Sequence, residues 1–547
     1  MAADAGPRRV SASRRARSWR PYVQIGAFVV FVVLLLTTVQ GRSRLPLTNL
    51  FFRFDPLVAL SAMLAARSLI PTLALAGVTL LVTILLGRVW CGWLCPFGTL
   101  LEWVRFDEAR RQAARLPARL RLVKTLLLVA IIAMAALGSL TLLVLDPLAL
   151  LTRTATVAVL PGVNSLVTIV DRALYPVLRP VTDFVEGLLR GYVLPPQQTV
   201  FQQAVVVWLV FLALLALNLL ADRFWCRYLC PLGALLALLG RVALFRPVVG
   251  DACNGCGACV SACRLGAIES GPAVLPDQHR LSANEPRPVV AADGGAAGGR
   301  DDARATRPHL DLAECTMCLD CVAACPTTAI GIASSLEAAP LPAAFDPGRR
   351  AFLGTVAAGV AGVALATAGV PRAKPRPVLL RPPGAQTAGE DEFLARCLRC
   401  SECMKVCPTL GLQPAAGEGG LLSFWTPVLK PRQGYCDYGC NSCGRVCPSS
   451  AIPALSLAEK RRVVIGTAVI DRRRCLPWAK GTPCIVCQEM CPTPQKAITL
   501  RTAEVTATSG RRVTVQQPVM VPDLCIGCGI CEYQCPVGGV AAIRVFS

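Results

Sequence analysis

All 28 cysteines of this 547-residue chain fall into repeated patterns, with none left over. Four belong to two C-x3-C-P pairs, and the rest form six quartets that close with C-x3-C. The quartets are Cys253, Cys256, Cys259 and Cys263; Cys315, Cys318, Cys321 and Cys325; Cys397, Cys400, Cys403 and Cys407; Cys436, Cys440, Cys443 and Cys447; Cys475, Cys484, Cys487 and Cys491; and Cys525, Cys528, Cys531 and Cys535. Four of the six read C-x2-C-x2-C-x3-C without variation. That is the ligand run of a bacterial-type ferredoxin: three closely spaced thiolates wrap one [4Fe–4S] cubane, and the distant fourth, usually followed by Pro, ligates the neighbouring one. Six quartets therefore imply six [4Fe–4S] clusters with these 24 cysteines as iron ligands. A line of one-electron centres conducts electrons.

Other uses of cysteine fit worse. Zinc is held by paired C-x2-C knuckles rather than by a three-cysteine run. Disulfide frameworks belong to small secreted domains. No C-x-x-C is followed by His, so c-type haem attachment is absent, and the only histidines, His279 and His309, are expected in a polar loop, away from any intramembrane bis-His haem.

The chain is 54% hydrophobic with a mean hydropathy of +0.53, which points to a membrane part plus soluble modules. Its net charge of +22 does not indicate nucleic acid, because no basic run is interleaved with aromatics; arginines beside membrane spans account for it. After a basic tail (1–21), apolar runs at Tyr22–Val39, Ile70–Gly87, Leu122–Leu145 and Phe201–Ala221 approach the ~20 residues a spanning helix needs. Arginines in the tail and at 88–121 place both in the cytoplasm. The expected four-span α-helical membrane domain, 22–246, is internally duplicated. Asp55-Pro56-Leu57 matches Asp146-Pro147-Leu148, and Arg88-Val89-Trp90-Cys91 to Cys95-Pro96 matches Arg223-Phe224-Trp225-Cys226 to Cys230-Pro231. The longer outer loop of the second repeat, 152–200, has apolar stretches broken by Pro and is expected on the membrane surface.

Residues 247–335 form an α+β dicluster ferredoxin domain. Gly266-Ala267-Ile268 and Thr328-Ala329-Ile330 start the elements that pack its cubanes, and 271–308, rich in Gly, Ala, Pro, Asp and Arg, is read as a disordered insertion. At 346–371, Arg349-Arg350-Ala351-Phe352-Leu353 opens a mildly apolar run that resembles a twin-arginine export signal, or else a fifth span. A linker (372–390) leads to a four-cluster ferredoxin domain, 391–547. Export as a folded protein fits a domain whose clusters are assembled in the cytoplasm, although Arg372, Lys374, Arg376 and Arg381 beyond the run oppose the positive-inside rule. The first and fourth C-terminal quartets match in spacing, and the inner two are both irregular. This suggests that the first exchanges its closing cysteine with the fourth, and the second with the third.

The candidate quinol-site residues are Cys91, Cys95, Cys226, Cys230, Asp55 and Asp146. Each C-x3-C-P pair sits at the cytoplasmic end of a span with its cysteines on one helix face. A redox-active dithiol, a metal or seventh-cluster site, and a docking surface near a quinol pocket all remain open. Asp55 and Asp146, at the opposite face, each precede Pro as helix N-caps do, or serve as proton acceptor for an oxidised quinol.

Residues 1–335 resemble NapH, the membrane ferredoxin of periplasmic nitrate reductase systems, on the four spans, the two C-x3-C-P motifs and the two regular quartets. Residues 346–547 resemble its partner NapG, on the twin-arginine run and four quartets. The duplicated motif is shared with NosR-type and MauN-type proteins and copper-oxidase accessory ferredoxins, and NapG resembles MauM. The resemblance implies a fused, multi-pass protein of the bacterial inner membrane, with the first ferredoxin domain cytoplasmic and 391–547 periplasmic. It implies a menaquinol or ubiquinol dehydrogenase that passes electrons to a periplasmic cytochrome and a molybdenum reductase. The insertion and the fusion depart from the family pattern. The rival reading is an accessory ferredoxin that matures a periplasmic metalloenzyme; a third keeps all clusters cytoplasmic and runs electrons inward.

Overall fold

The computed structural model describes residues 7–39, 49–104, 118–192, 194, 197–269, 308–334, 353–354, 356–362, 379–385, 389–507 and 510–547. Arg349, Arg350, Phe352, the basic residues 372–376 and all of the 271–308 insertion but Pro308 lie outside them. The chain divides into two compact units. Unit 1 comprises Met1–Phe28, Val78–Thr125 and Leu217–Arg350; unit 2 comprises Val29–Gly77, Leu126–Ala216 and Ala351–Ser547. The chain changes unit within or beside each of the four apolar runs.

The first run lies in one helix, Pro7–Leu36, except for its last three residues, so the basic tail is helical from Pro7 onward. The other three are shorter: Pro71–Leu73 then Ala76–Leu86, Leu122–Ala136 then Thr141–Leu145, and Ala204–Ala216 then Leu217–Leu219. Gly87, at φ +71°, ends the helix Ala76–Leu86, as a left-handed residue ends many helices. Among the described residues, two helices are long and apolar enough to cross a membrane: Ser13–Leu36 and Pro147–Pro176. The second enters the segment expected to be a broken surface loop. Pro176 and Pro180 instead lie inside the helix Leu160–Tyr192. The amide that Pro180 lacks is the one that would bond the Pro176 carbonyl, so both defects fall on one turn and the helix carries on past them.

The sequence duplication is also a structural one. Asp55 caps Pro56–Ala66, its Oδ1 accepting from Leu57 N (2.8 Å) and Val58 N (3.1 Å). Asp146 caps Pro147–Thr154, its Oδ2 accepting from Leu148 N (3.0 Å) and Ala149 N (2.9 Å). Each C-x3-C is a π-helical turn, Trp90–Leu94 and Trp225–Leu229, and its second cysteine caps the next helix, Pro96–Trp103 or Pro231–Gly240.

In unit 1 the first ferredoxin module is closed by Phe245–Val249 antiparallel to Ile330–Ser334. Ile268–Glu269 pairs with His309–Leu310 across the insertion, which places His309 on a strand rather than in a loop. Both apolar segments after the closing cysteines thus become strands. The tail arginines make contacts within unit 1. Arg14 donates to the Cys325 carbonyl (3.0 Å) and Arg17 to Asp320 (3.0 Å). Buried Arg20 bridges Glu102 and Asp320. Glu102, itself buried, also accepts from Gln24 (2.9 Å) and Arg264 (2.7 Å).

Unit 2 holds the second ferredoxin module. Its strands pair as Leu412–Pro414 with Pro427–Leu429, Thr467–Ile470 with Ile543–Phe546, and the long hairpin Ile498–Thr506 with Arg512–Met520. Residues 356–362, in the apolar run that follows the arginines, are helical. A Cβ at Gly359 would lie 3.3 Å from Ala130 Cα, a small-residue contact between two apolar helices. Gly527, at φ +68°, sits so close to Gly466 that a Cβ would lie 2.3 Å from its backbone N and O.

Removing one partner of a buried ion pair leaves its counter-charges unpaired, at a cost of about 3–5 kcal/mol, whereas an exposed pair contributes roughly 0–1 kcal/mol. Glu102→Gln is therefore expected to weaken hydrogen-exchange protection throughout unit 1, and Arg17→Ala, at a side chain 46% exposed, to leave it nearly unchanged.

Candidate functional site

Five cavities show how the quartets are shared. One is lined by Cys253, Cys256, Cys259 and Cys325, the next by Cys315, Cys318, Cys321 and Cys263. In unit 2 the sets are Cys397, Cys400, Cys403 and Cys447; Cys475, Cys484, Cys487 and Cys535; and Cys525, Cys528, Cys531 and Cys491. The sixth set is Cys436, Cys440 and Cys443, which face Cys407 closely enough to perturb one another's ionisation. Every set takes three cysteines from one quartet and the closing cysteine from its partner, as a dicluster ferredoxin requires.

The pairing in unit 2 differs from the expectation. The first quartet exchanges with the second and the third with the fourth, not the first with the fourth. The cause is chain geometry rather than likeness of spacing. The short ribbon at 412–429 folds the second quartet back onto the first, and the 498–520 hairpin does the same for the third and fourth. The two pairs meet where Cys436 N donates to Cys528 O (2.8 Å).

The cavities suit the cluster chemistry. Burial pushes the thiols up, to about 12 at Cys315 and Cys436 and to about 11 at Cys318, Cys475 and Cys528. A cluster's iron is the cation that makes thiolates stable in such surroundings. Donors are aimed at the closing sulfurs: Ala267 N at Cys263 Sγ (3.2 Å), Ala329 N at Cys325 Sγ (3.3 Å) and Ile452 N at Cys447 Sγ (3.5 Å). Hydroxyls two residues on add to these: Thr327 lies 3.6 Å from Cys325 Sγ, Ser449 3.9 Å from Cys447 Sγ and Thr493 3.2 Å from Cys491 Sγ. Thr409 lies 3.5 Å from Cys407 Sγ but donates to the Tyr435 carbonyl. Sequence reasoning missed these hydroxyls. The signal was a Ser or Thr directly after C-P in four of the six quartets.

Asp55 and Asp146 are fully buried in unit 2, each with one oxygen committed to its helix cap. The two carboxyl groups lie close enough to act on each other's ionisation. The oxygens left over, Asp55 Oδ2 and Asp146 Oδ1, have no other partner. Two buried carboxyl groups this close disfavour a second negative charge. Burial, and then the Asp146 charge, push the Asp55 carboxyl well above its ordinary range. A chain of contacts leads on from Asp146 within unit 2. Arg153 acts electrostatically on Asp146 and on Cys400, donates to the Arg399 carbonyl (3.4 Å), and stacks on Trp425 at 4.2 Å.

Comparison with known proteins agrees with this geometry. Two family models described as a 4Fe-4S binding domain match residues 69–113 with 203–250, and residues 518–540; a 4Fe-4S dicluster domain matches 252–329. The chain is 39% identical over 210 residues to the methylamine utilization ferredoxin-type protein MauM of Methylorubrum extorquens, a match covering 37% of this chain and 89% of the relative. It is 37% identical over 198 residues to the ferredoxin-type protein NapG of Escherichia coli, covering 34% and 81%. The ferredoxin-type protein NapF of E. coli is 30% identical over 164 residues, covering 30% and 84%. No solved structure matches.

The corrected pairing is checked by Cys407→Ser. It is expected to alter the electron paramagnetic resonance of the centre built on Cys436, Cys440 and Cys443 and to leave the Cys525 centre unchanged. Thr493→Ala, which removes a hydroxyl from Cys491 Sγ, is expected to lower the midpoint potential of the centre on Cys525, Cys528 and Cys531, because hydrogen bonds to sulfur stabilise the reduced cluster. With its paired quartets, its [4Fe–4S] domains and relatives matched over most of their own length, the chain belongs to the NapG- and MauM-type family of iron–sulfur ferredoxin-type electron-transfer proteins.

Proposed function

We propose that this protein is a quinol dehydrogenase of the bacterial inner membrane, with six [4Fe–4S] clusters on the 24 quartet cysteines. In this reading the four apolar runs span the bilayer, the helical residues 356–362 belong to a fifth hydrophobic segment, the N-terminus and the first ferredoxin domain face the cytoplasm, and the 391–547 module faces the periplasm. The observation that carries it is the division of the chain. Each apolar run has one end in unit 1, with the C-x3-C-P motifs and the first ferredoxin module, and the other in unit 2, with the Asp-Pro-Leu motifs and the second module. Arginine density beside the unit 1 ends supports the orientation.

Oxidation of a quinol releases two protons and two electrons. The clusters, when bound, supply one-electron couples. The Asp55–Asp146 pair is the group that takes the two protons one at a time, each passed on before the next arrives: it is buried, its two carboxyl groups disfavour a second negative charge, and Arg153 links it to the wall of the Cys397, Cys400, Cys403 and Cys447 set. From that set the shared cysteines and the Cys436–Cys528 contact join all four sets of unit 2. The acceptor in this reading is a periplasmic cytochrome and, beyond it, a molybdenum reductase of the nitrate type.

Protease added to intact spheroplasts tests the topology. Digestion of 391–547 from outside is expected, and protection until lysis would place all the clusters in the cytoplasm. Asp55→Asn keeps a capping side chain but carries a fixed amide where the proton is taken. Cluster reduction by quinol is expected to slow about 10²-fold, with reduction by dithionite unchanged. In the unsubstituted protein the quinol rate is expected to fall as pH is lowered and both carboxyls fill with protons. The variant is expected to lose that dependence, and normal quinol turnover in it would remove the dyad from the mechanism.

A further inference from the structure

The C-x3-C-P pairs are absorbed by neither ferredoxin module, yet the structure brings both into one place within unit 1. Cys91, Cys95, Cys226 and Cys230 lie close enough that their charges act on one another. All four are free thiols. Cys95 and Cys230 each begin a helix, and their sulfurs accept from Gly98 N (3.4 Å) and Gly233 N (3.2 Å). Each helix N-terminus adds partial positive charge beside a sulfur.

Two arginines are crossed between the repeats. Arg223, from the second, donates through Nη2 to the Gly98 carbonyl (2.8 Å) and the Cys91 carbonyl (3.4 Å) of the first. Arg88, from the first, reaches the second: a Cβ on Gly233 would lie 2.9 Å from Arg88 Nη2 and 3.4 Å from Cys230 Sγ. Gly98 is the mirror case, its Cβ position lying 2.9 Å from Arg223 Nη2. Arg88 is wholly buried. Its Nη1 is bonded to the Ala313 carbonyl (2.7 Å) and Glu314 (3.4 Å), but its Nε and Nη2 have no partner. A buried guanidinium edge left open beside four thiols is costly unless it faces an anion.

We propose that Cys91, Cys95, Cys226 and Cys230 are the four ligands of a further [4Fe–4S] cluster, with Arg88 and Arg223 as its counter-charges. A tetrathiolate cluster carries net negative charge, which two guanidiniums and two helix N-termini offset without water. A cubane fits better than a single ion. Among the described residues no three His, Cys, Asp or Glu side chains are placed to hold a metal ion, and this is as true of the six ferredoxin sets as of this one. Neither stretch of the 69–113 and 203–250 match supplies four ligands alone; the fold of the duplicated repeats completes the set. The site also abuts a ferredoxin centre. A Cβ on Gly92 would lie 2.3 Å from the Thr316 carbonyl, Trp93 Nε1 donates to the Met317 carbonyl (2.9 Å), and Arg223 lines the cavity of Cys315, Cys318, Cys321 and Cys263.

The test compares iron and acid-labile sulfide in anaerobically purified full-length protein and in its Cys95→Ser/Cys230→Ser variant. A loss of about four irons and four sulfides per chain is expected. The difference reads this site alone, whatever the ferredoxin modules hold. Equal iron in the two proteins, or one zinc per chain lost in place of iron, would overturn the proposal. Should the double variant fail to accumulate, Arg88→Gln leaves all four thiols in place. It is expected to keep the iron and to lower the midpoint potential of one centre, since a positive charge beside a cluster favours its reduced state; if no centre moves, the counter-charge role falls.

Discussion

Exchange of the closing cysteine is the constraint on which the ferredoxin modules depend. A quartet contributes three sulfurs to its own cavity and gives the fourth away, so no cavity is complete until two quartets are folded against each other. That requirement fixes what lies between them: a strand pair across the insertion in unit 1, a short ribbon and a long hairpin in unit 2. It also explains why glycine is held at Gly527, where the loop between two cysteines passes over Gly466 too closely for any side chain.

The apolar part obeys a second pairing rule. Its two repeats meet twice, once within each unit. In unit 2 the aspartates that begin two helices face one another; in unit 1 cysteines that begin two helices do so under crossed arginines. In each place the repeat supplies half of a polar group that is unsatisfied alone, and burial makes the half-group costly. Pairing therefore holds the repeats together and creates the groups proposed to handle protons and electrons.

The tail arginines show how one residue type carries two kinds of information. Their number carries the proposed orientation across a bilayer, an argument that needs no structure. Their positions matter separately: Arg14, Arg17 and Arg20 reach Cys325, Asp320 and Glu102, more than 80 residues away in every case. The reach arises because the helix that begins at Pro7 continues unbroken through the tail, which composition alone does not reveal.

The sequence by itself determined the cysteine quartets, the ferredoxin class, the duplication and the capping aspartates, because each depends on local spacing. Ligands within one turn of chain, or an Asp directly before Pro, are legible wherever they occur. Only the tertiary structure decided which quartets exchange, because likeness of spacing is not proximity. It likewise decided that Asp55 meets Asp146, that the two C-x3-C pairs converge, and that Pro176 and Pro180 lie within a helix. Each depends on how distant segments pack, and burial of charge and polar groups, not local pattern, selects among the arrangements that the spacing allows.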